Sequence, residues 1–438
     1  MKEQIKIPTS KIQRAASFAG AGAKIGGNYL KYYLKKAVDS GTNRDELNED
    51  NAEDIYDTLS KLKGSALKVA QMLSMDKNLM PKAYQNKFQL AQYSAPPLSY
   101  PLVLKTFQQE FKKEPLELFD SFGKSAMHAA SIGQVHKATI KDKTFAVKIQ
   151  YPGVADSVSS DLKLVKPLAT RILNLKGKDI DKYFKEVENK LLEETDYKLE
   201  LKRSIEISKA CSKVNGVFFP NYYPEYSSNR ILSMDWIDGL PLSEFVKGNH
   251  SQDVLNKVGQ AIWDFYLHQI FVLKSVHADP HPGNFIITAD NQVGVIDFGC
   301  VKEIDPIFHK DYFTLLDSEA INNDILFTHI LFKLEYLLKE DSAKVVPVLK
   351  KSFKEMLDLL GRPFNSDTFD FSDDSYFKQI YDLGERFSKM IELKEANGAR
   401  GPQDAIYINR TCFGLYGILN ILGSKIDTSK ASKYRDRS

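Results

Sequence analysis

The sequence has little cysteine: Cys211, Cys300 and Cys412 are its three in 438 residues. They stand far apart, fit no zinc-ligand spacing and outline no disulfide framework, so reduced, buried thiols in a cytoplasmic protein are expected. It also lacks an excess of charge of either sign. Its 60 basic and 57 acidic residues give a net charge of +3, which withholds the concentrated positive charge that a nucleic-acid partner requires. No run of about eighteen uncharged apolar residues occurs, so no transmembrane helix is expected. The polar N-terminus shows no apolar core with a cleavage site, and no secretory signal is expected either.

What is present describes a globular chain. Apolar residues make up 43% and charged residues 27%, and the length allows one large domain or two to three ordinary ones. Residues 1–44 form a leader rich in Gly, Ala and Lys. It reads either as a flexible, weakly helical segment or as a membrane-surface segment with Tyr and Lys at the interface. From 45 to about 115 the pattern is helical, with Leu59, Leu62, Ala66, Val69, Ala70 and Leu73 recurring at three- and four-residue steps. The period then shortens to two in 126–138 and 143–150, two strands joined at Lys141-Asp142. Helical stretches at 156–175 and 179–212 follow, then a strand at 229–236. An apolar helix over 251–275 precedes two short strands, 284–288 and 292–297, which flank the turn Asp290-Asn291. The remainder after Asp305 is helical. This order predicts an α+β, bilobal fold: a small β-containing lobe with inserted helices (116–240) and a larger helical lobe (241–438), preceded by a helical extension (45–115).

The chemistry concentrates in His277-Ala-Asp279-Pro-His281-Pro-Gly-Asn284 and Asp297-Phe-Gly299. Phosphoryl transfer needs a carboxylate to orient the acceptor and oxygen ligands for a metal that bridges the phosphates. Asp279 is the candidate base or water-orienting group, and Asn284 and Asp297 are candidate Mg²⁺ ligands. The His-x-Asp start, the five-residue Asp-to-Asn step and the Asp-Phe-Gly match the protein-kinase signatures. Phe145-Ala-Val-Lys148 matches the kinase lysine that holds the nucleotide phosphates. Its carboxylate partner belongs in Leu192-Glu-Glu194-Thr-Asp196-Tyr-Lys-Leu-Glu200. Glu194 and Glu200 are too far apart on one helix to aim at one point, so two roles are expected. No Ala-Pro-Glu follows Asp297 at activation-loop distance, and Cys300-Val-Lys-Glu runs straight towards a helix, which argues against a conventional Ser/Thr kinase.

Four further elements make the resemblance specific. Ala129-Ala130-Ser131-Ile132-Gly133-Gln134-Val135-His136, Lys68-Val-Ala-Gln71, Glu194-Thr-Asp196 and the complete His277–Asn284 loop resemble the motifs of the UbiB (AarF, ADCK) atypical kinases, over roughly residues 55–305. The resemblance implies an ATP/ADP- and Mg²⁺-binding kinase or ATPase associated with coenzyme Q or other lipid metabolism. Its expected partners are a nucleotide, a membrane surface, a lipid or quinone precursor, and quinone-biosynthesis proteins. It implies that residues 129–135 and Lys148 contact the nucleotide. It also implies that the Lys68/Gln71 helix covers the cleft and pairs with Glu194 and Asp196, leaving Glu200 to Lys148. Alanines narrow the backbone freedom of a phosphate loop, so a constrained nucleotide pose is expected. Ala70 replaces the family's glycine, and His128 an alanine. Two other readings of the kinase motifs are a small-molecule phosphotransferase of the aminoglycoside or choline kinase type, and a nucleotide-gated pseudokinase scaffold. Localisation is expected to be cytoplasmic, with peripheral attachment at the inner face of a membrane if the leader is interfacial.

Overall fold

The structure, a computed structural model, describes residues 11–38, 44–62, 68, 87, 97–129, 132–172, 180–390 and 400–435. The chain divides into two compact units, one running to Leu201 and taking in Tyr222–Trp236, the other made of Lys202–Asn221 and Ile237 onward.

In the first unit, most of the leader that reads as flexible or weakly helical, or as a membrane-surface segment, forms a 28-residue helix, α1 (Lys11–Val38). Polar cross-links tie it to its neighbours. Arg14 is buried and donates from Nε and Nη2 to the Asp161 carboxylate at 2.6 and 2.5 Å, and from Nη1 to the Leu62 carbonyl at 2.9 Å. Lys24 and Asn28 each reach Asp54 at 2.9 Å on α2 (Arg44–Leu62). Such long-range pairs leave no trace in composition.

After α3 (Tyr100–Phe111) comes a five-stranded antiparallel sheet. It is built from β1 (Ser121–Phe122), β2 (His128–Ala129), β3 (Gly133–Ile140), β4 (Lys143–Gln150) and β5 (Ile231–Asp235). The order is β1-β3-β4-β5, with β2 also on β3. Lys141 takes the left-handed backbone at the β3–β4 turn. Period-two alternation sends Phe145, Val147 and Ile149 into a core with Val103, Phe107, Phe119 and Ile231, and turns Lys148 to the other face. Helices α4 (Val154–Ile172), α5 (Ile180–Glu194) and α6 (Tyr197–Ala210) follow, and the unit boundary falls inside α6.

The second unit is mostly helical. Its apolar helix α7 (Gln252–Leu267) is capped by Ser251 and runs into a π turn, His268–Leu273, where the sequence pattern predicts one continuous helix. π turns of this kind recur at functional sites. Four strands carry the site: β6 (Ser275–His277), β7 (Phe285–Ile287), β8 (Val293–Val295) and β9 (Val301–Glu303). The last is a strand where a direct run into a helix is expected, and Asp305 then caps α8 (Pro306–Leu315). Among the later helices, α9 (Gln403–Leu422) bears on the site.

Buried in this core is His309 of α8, its ring 4.7 Å from that of Phe313 and 5.6 Å from Phe271. Burial, and secondarily the Lys274 ammonium, pushes its pKa down to about 4 from the ordinary 6.5. The unfolded chain therefore binds the extra proton first. The neutral ring's stabilisation is present above pH 6.5 and is lost as pH falls from 6.5 towards 4, by about 2–3 kcal/mol. Denaturant titrations of His309→Leu are expected to show a shallower loss of stability between pH 7.5 and 4.5 than wild type; parallel curves would disprove the assignment.

Candidate active site

Lys148 leaves β4 on the face opposite the apolar core, and its Nζ meets Glu200 Oε1 at 2.7 Å. The Lys148 ammonium also lies 5.0 Å from the centroid of the Tyr197 ring, a cation–π distance. Glu200 is only 2% exposed. Local chain logic puts it there. Glu194 ends α5, and the Asp196 carboxylate accepts the Leu199 N–H at 3.0 Å as the N-cap of α6. One turn further on stands Glu200, whose N–H donates to the Asp196 carbonyl at 3.0 Å. The two glutamates thus sit on different helices with different partners, because Glu194 is ion-paired with Lys68. Gln71 lies outside the described residues, as do Ala130 and Ser131.

Of the remaining candidates near the Ala-rich segment, Ala129 belongs to β2, beside the exposed His128, and Ile132 is buried. A Cβ on Gly133 would lie 2.7 Å from the Ile149 carbonyl oxygen and 2.8 Å from the Tyr197 hydroxyl, so close packing requires glycine there. Val135 pairs with Lys148 across the β3–β4 ladder. Gln134, expected among the nucleotide contacts, is 1% exposed and turned inward. Its Oε1 accepts the Leu98 N–H at 2.6 Å and its Nε2 meets His136 Nε2 at 2.7 Å; His136 Nδ1 meets the Gly123 carbonyl at 2.7 Å. A carbonyl only accepts, so His136 is protonated on Nδ1 and takes the Gln134 amide proton on Nε2. These two side chains form a buried polar chain that ties strand to loop.

In the second unit two ladders assemble the remaining groups. Strands β6 and β9 pair antiparallel, His277 opposite Val301, and the Ala278 N–H donates to the Cys300 carbonyl at 2.9 Å. The Asp279 loop and the Asp297-Phe-Gly segment are thereby joined. Strands β7 and β8 form a hairpin through Asn291, which has the left-handed backbone. At its open end the Ile296 N–H donates to the Asn284 carbonyl at 3.1 Å, so Asn284 faces the residue next to Asp297. Thirteen residues apart in sequence, the two oxygen donors flank one hairpin. Asn284 Nδ2 donates to the Asp279 carbonyl at 3.0 Å, which directs its Oδ1 away from that bond, and Asp297 Oδ1 accepts the Gly299 N–H at 2.9 Å. His277 is buried, its N–H held by Gln269 Oε1 of the π turn at 2.8 Å and its ring edge-on to Phe298. Its ring thereby contacts the Asp-Phe-Gly segment.

Helix α9 supplies what the sequence reading missed. Arg410 Nη2 donates to Asp279 Oδ1 at 2.8 Å. One turn on, a Cβ at Gly414 would lie 2.4 Å from Pro280 Cγ, so the helix and the loop touch through a glycine. Asp404 of the same helix takes Lys302 at 3.0 Å and the Asp305 N–H at 3.1 Å. A lone arginine in a helical stretch carries no motif, and only the fold pairs it with Asp279.

The donor chemistry fits Mg²⁺. Among the described residues no group of three or more His, Cys, Asp or Glu converges as a metal cage. One carboxylate with one amide oxygen is the kind of partial set that Mg²⁺ completes with water and phosphate oxygens. No described helix is long and apolar enough to cross a membrane.

The profile of the ABC1 atypical kinase-like domain matches residues 90–327. The chain is 28% identical to the probable serine/threonine-protein kinase abkA of Dictyostelium discoideum, over 97% of this chain and 79% of that protein. To the mitochondrial atypical kinase COQ8 of Saccharomyces cerevisiae it is 27% identical, over 98% and 85%. Among solved structures it resembles Rv3197 of Mycobacterium tuberculosis, in complex with erythromycin. The TM-score is 0.61 at 26% identity, over 89% of this chain and 96% of that one.

Proposed function

Since this chain belongs to the ABC1 atypical kinase-like family, the UbiB/AarF/ADCK group, we propose that it binds ATP with Mg²⁺ and catalyses transfer of the γ-phosphoryl group. The observation that supports the reading is the β7–β8 hairpin, at whose open end the Asn284 backbone pairs with Ile296, the residue before Asp297. When bound, Mg²⁺ neutralises charge on the phosphates. Lys148, held by Glu200, contacts the nucleotide phosphates, with β2 and the start of β3 as the neighbouring backbone. Asp279 orients the acceptor hydroxyl or water. Its ion pair with Arg410 suits orientation better than strong basicity, and a loose phosphoryl-transfer transition state asks little of a base. Lys68, its ion-pair partner Glu194 and the capping Asp196 take a regulatory role, as the family resemblance implies.

For the acceptor we propose a lipid-soluble metabolite of quinone or related lipid metabolism, or its enzymes, as the family resemblance implies. A membrane surface as partner is supported by α1, where Leu30, Tyr33 and Leu34 are exposed among Lys31, Lys35 and Lys36. Purified protein is expected to gain thermal stability from ATP only when Mg²⁺ is present, and to turn ATP over faster with anionic vesicles and a phenolic quinone-precursor mimic. Absence of any nucleotide-dependent shift would refute the reading. Binding without turnover would favour the pseudokinase scaffold, and rapid phosphorylation of a small hydrophilic alcohol the choline-kinase type.

A further inference from the structure

A kinase that is switched on by phosphorylation orders the segment after its Asp-Phe-Gly with a phosphate, which cationic side chains then grip. Here Asp297–Asp305 contains no Ser, Thr or Tyr to receive one. The first hydroxyl beyond it, that of Tyr312 on α8, belongs to a fully buried residue. The segment nevertheless carries a cation, Lys302, and helix α9 answers it. Lys302 Nζ lies 3.0 Å from Asp404 Oδ1 and 5.4 Å from the centre of the Tyr407 ring. The other oxygen of the same carboxylate, Oδ2, accepts the Asp305 N–H at 3.1 Å. One acidic group thus holds the middle of β9 and the N-cap of α8 together. The Asp404 side chain is 15% exposed and that of Lys302 27%, so salt screens this pair less than it would a fully solvated one.

Strand β9 needs such a hold. It has three residues, each opposite one of β6, and a two-stranded ladder that short is marginal by itself. Val301 is buried, and alternation puts Lys302 on the opposite side, where Asp404 takes it. Strand β6 leads into the Asp279 loop and β9 follows the Asp297-Phe-Gly segment, so the register of this ladder sets both. We propose that Asp404 is a positioning residue for the phosphoryl transfer inferred above, on which this assignment rests. Its fixed carboxylate grips Lys302 and the Asp305 N–H, and so holds the Asp297 segment in metal-binding register in place of an activating phosphate.

Asp404→Asn keeps an oxygen for the Asp305 N–H but removes the charge that answers Lys302, whereas Asp404→Glu keeps the charge. In Mg²⁺ titrations at fixed ATP, read by thermal shift, Asp404→Asn is expected to need about tenfold more Mg²⁺ for half-maximal stabilisation. At saturating Mg²⁺ its stabilisation is expected to be that of wild type, and Asp404→Glu is expected to recover most of the midpoint. Lys302→Met is expected to move the midpoint equally, which keeps the test open if Asp404→Asn folds poorly. Adding Asp404→Asn to Lys302→Met is expected to move it no further, since both remove the same pair. Without ligand, the Ala278 and Ile304 N–H groups, bonded to the Cys300 and Lys274 carbonyls at 2.9 and 2.8 Å, are expected to exchange hydrogen faster in Asp404→Asn than in wild type. Phosphatase treatment of purified wild type is expected to leave the Mg²⁺ midpoint where it was. Unmoved midpoints in both single variants, additive shifts in the double variant, unchanged exchange, or a midpoint raised by phosphatase each overturn the proposal while leaving the nucleotide reading intact. A wild type with no Mg²⁺·ATP shift overturns the two together.

Discussion

Lys148→Met is expected to cost the first unit about 3–5 kcal/mol, because it leaves the Glu200 carboxylate buried without its cation. Glu200 is 2% exposed and Lys148 Nζ stands 2.7 Å away. A domain's net stability is only roughly 5–15 kcal/mol, so this loss is large. The two tryptophans make it measurable by unit, Trp236 reporting the first and Trp263 the second. In backgrounds with a single tryptophan, the Trp236 transition is expected at much lower denaturant and the Trp263 transition nearly unmoved. Lys148→Met combined with Glu200→Leu is expected to recover most of the stability, since a neutral pair of similar volume removes the stranded charge. The double variant still lacks the phosphate contact and is expected to bind ATP no better than the single one. A single variant within 1 kcal/mol of wild type would mean that the pair has no structural weight.

Asp297→Asn is expected to abolish the Mg²⁺-dependent part of nucleotide stabilisation and to lower turnover by at least about 10³-fold, since it removes the one carboxylate of the proposed metal set. At ATP concentrations near 100 times the dissociation constant, wild type gains about 2.7 kcal/mol from ligand binding, and the variant is expected to gain almost none. The fold has reason to survive. An asparagine Oδ1 still accepts the Gly299 N–H that Asp297 takes at 2.9 Å, so the melting temperature without ligand should stay close to wild type. Chelation of Mg²⁺ from wild type is expected to reproduce the variant. Full stabilisation of Asp297→Asn by Mg²⁺·ATP would remove Asp297 from its role.

Some of this was legible from the residues because the groups are close along the chain. Asn284 and Asp297 are joined by a short hairpin whose Asp290-Asn291 turn is itself readable, so spacing implied adjacency. Strand β4 places Lys148 by alternation alone. Glu194 and Glu200 could be assigned separate roles because helical geometry forbids a common one, and the helix break at Asp196 gives that separation its form.

The rest depends on contacts between residues distant in sequence, which leave no periodicity to read. Arg14 meets Asp161 across 147 positions and turns a glycine-rich leader into a docked helix. Gln134 reads as a nucleotide contact, but strand β3 faces it inward to the Leu98 backbone amide and His136. Arg410 reaches Asp279 across 131 positions and Gly414 lets Pro280 lie against the same helix. By itself the sequence singled out the candidate groups for chemistry, since phosphate and metal ligation demand particular residue types at short, fixed spacings. Only the tertiary structure decided what holds those atoms in place, because a supporting contact needs just one complementary group wherever the folded chain brings it.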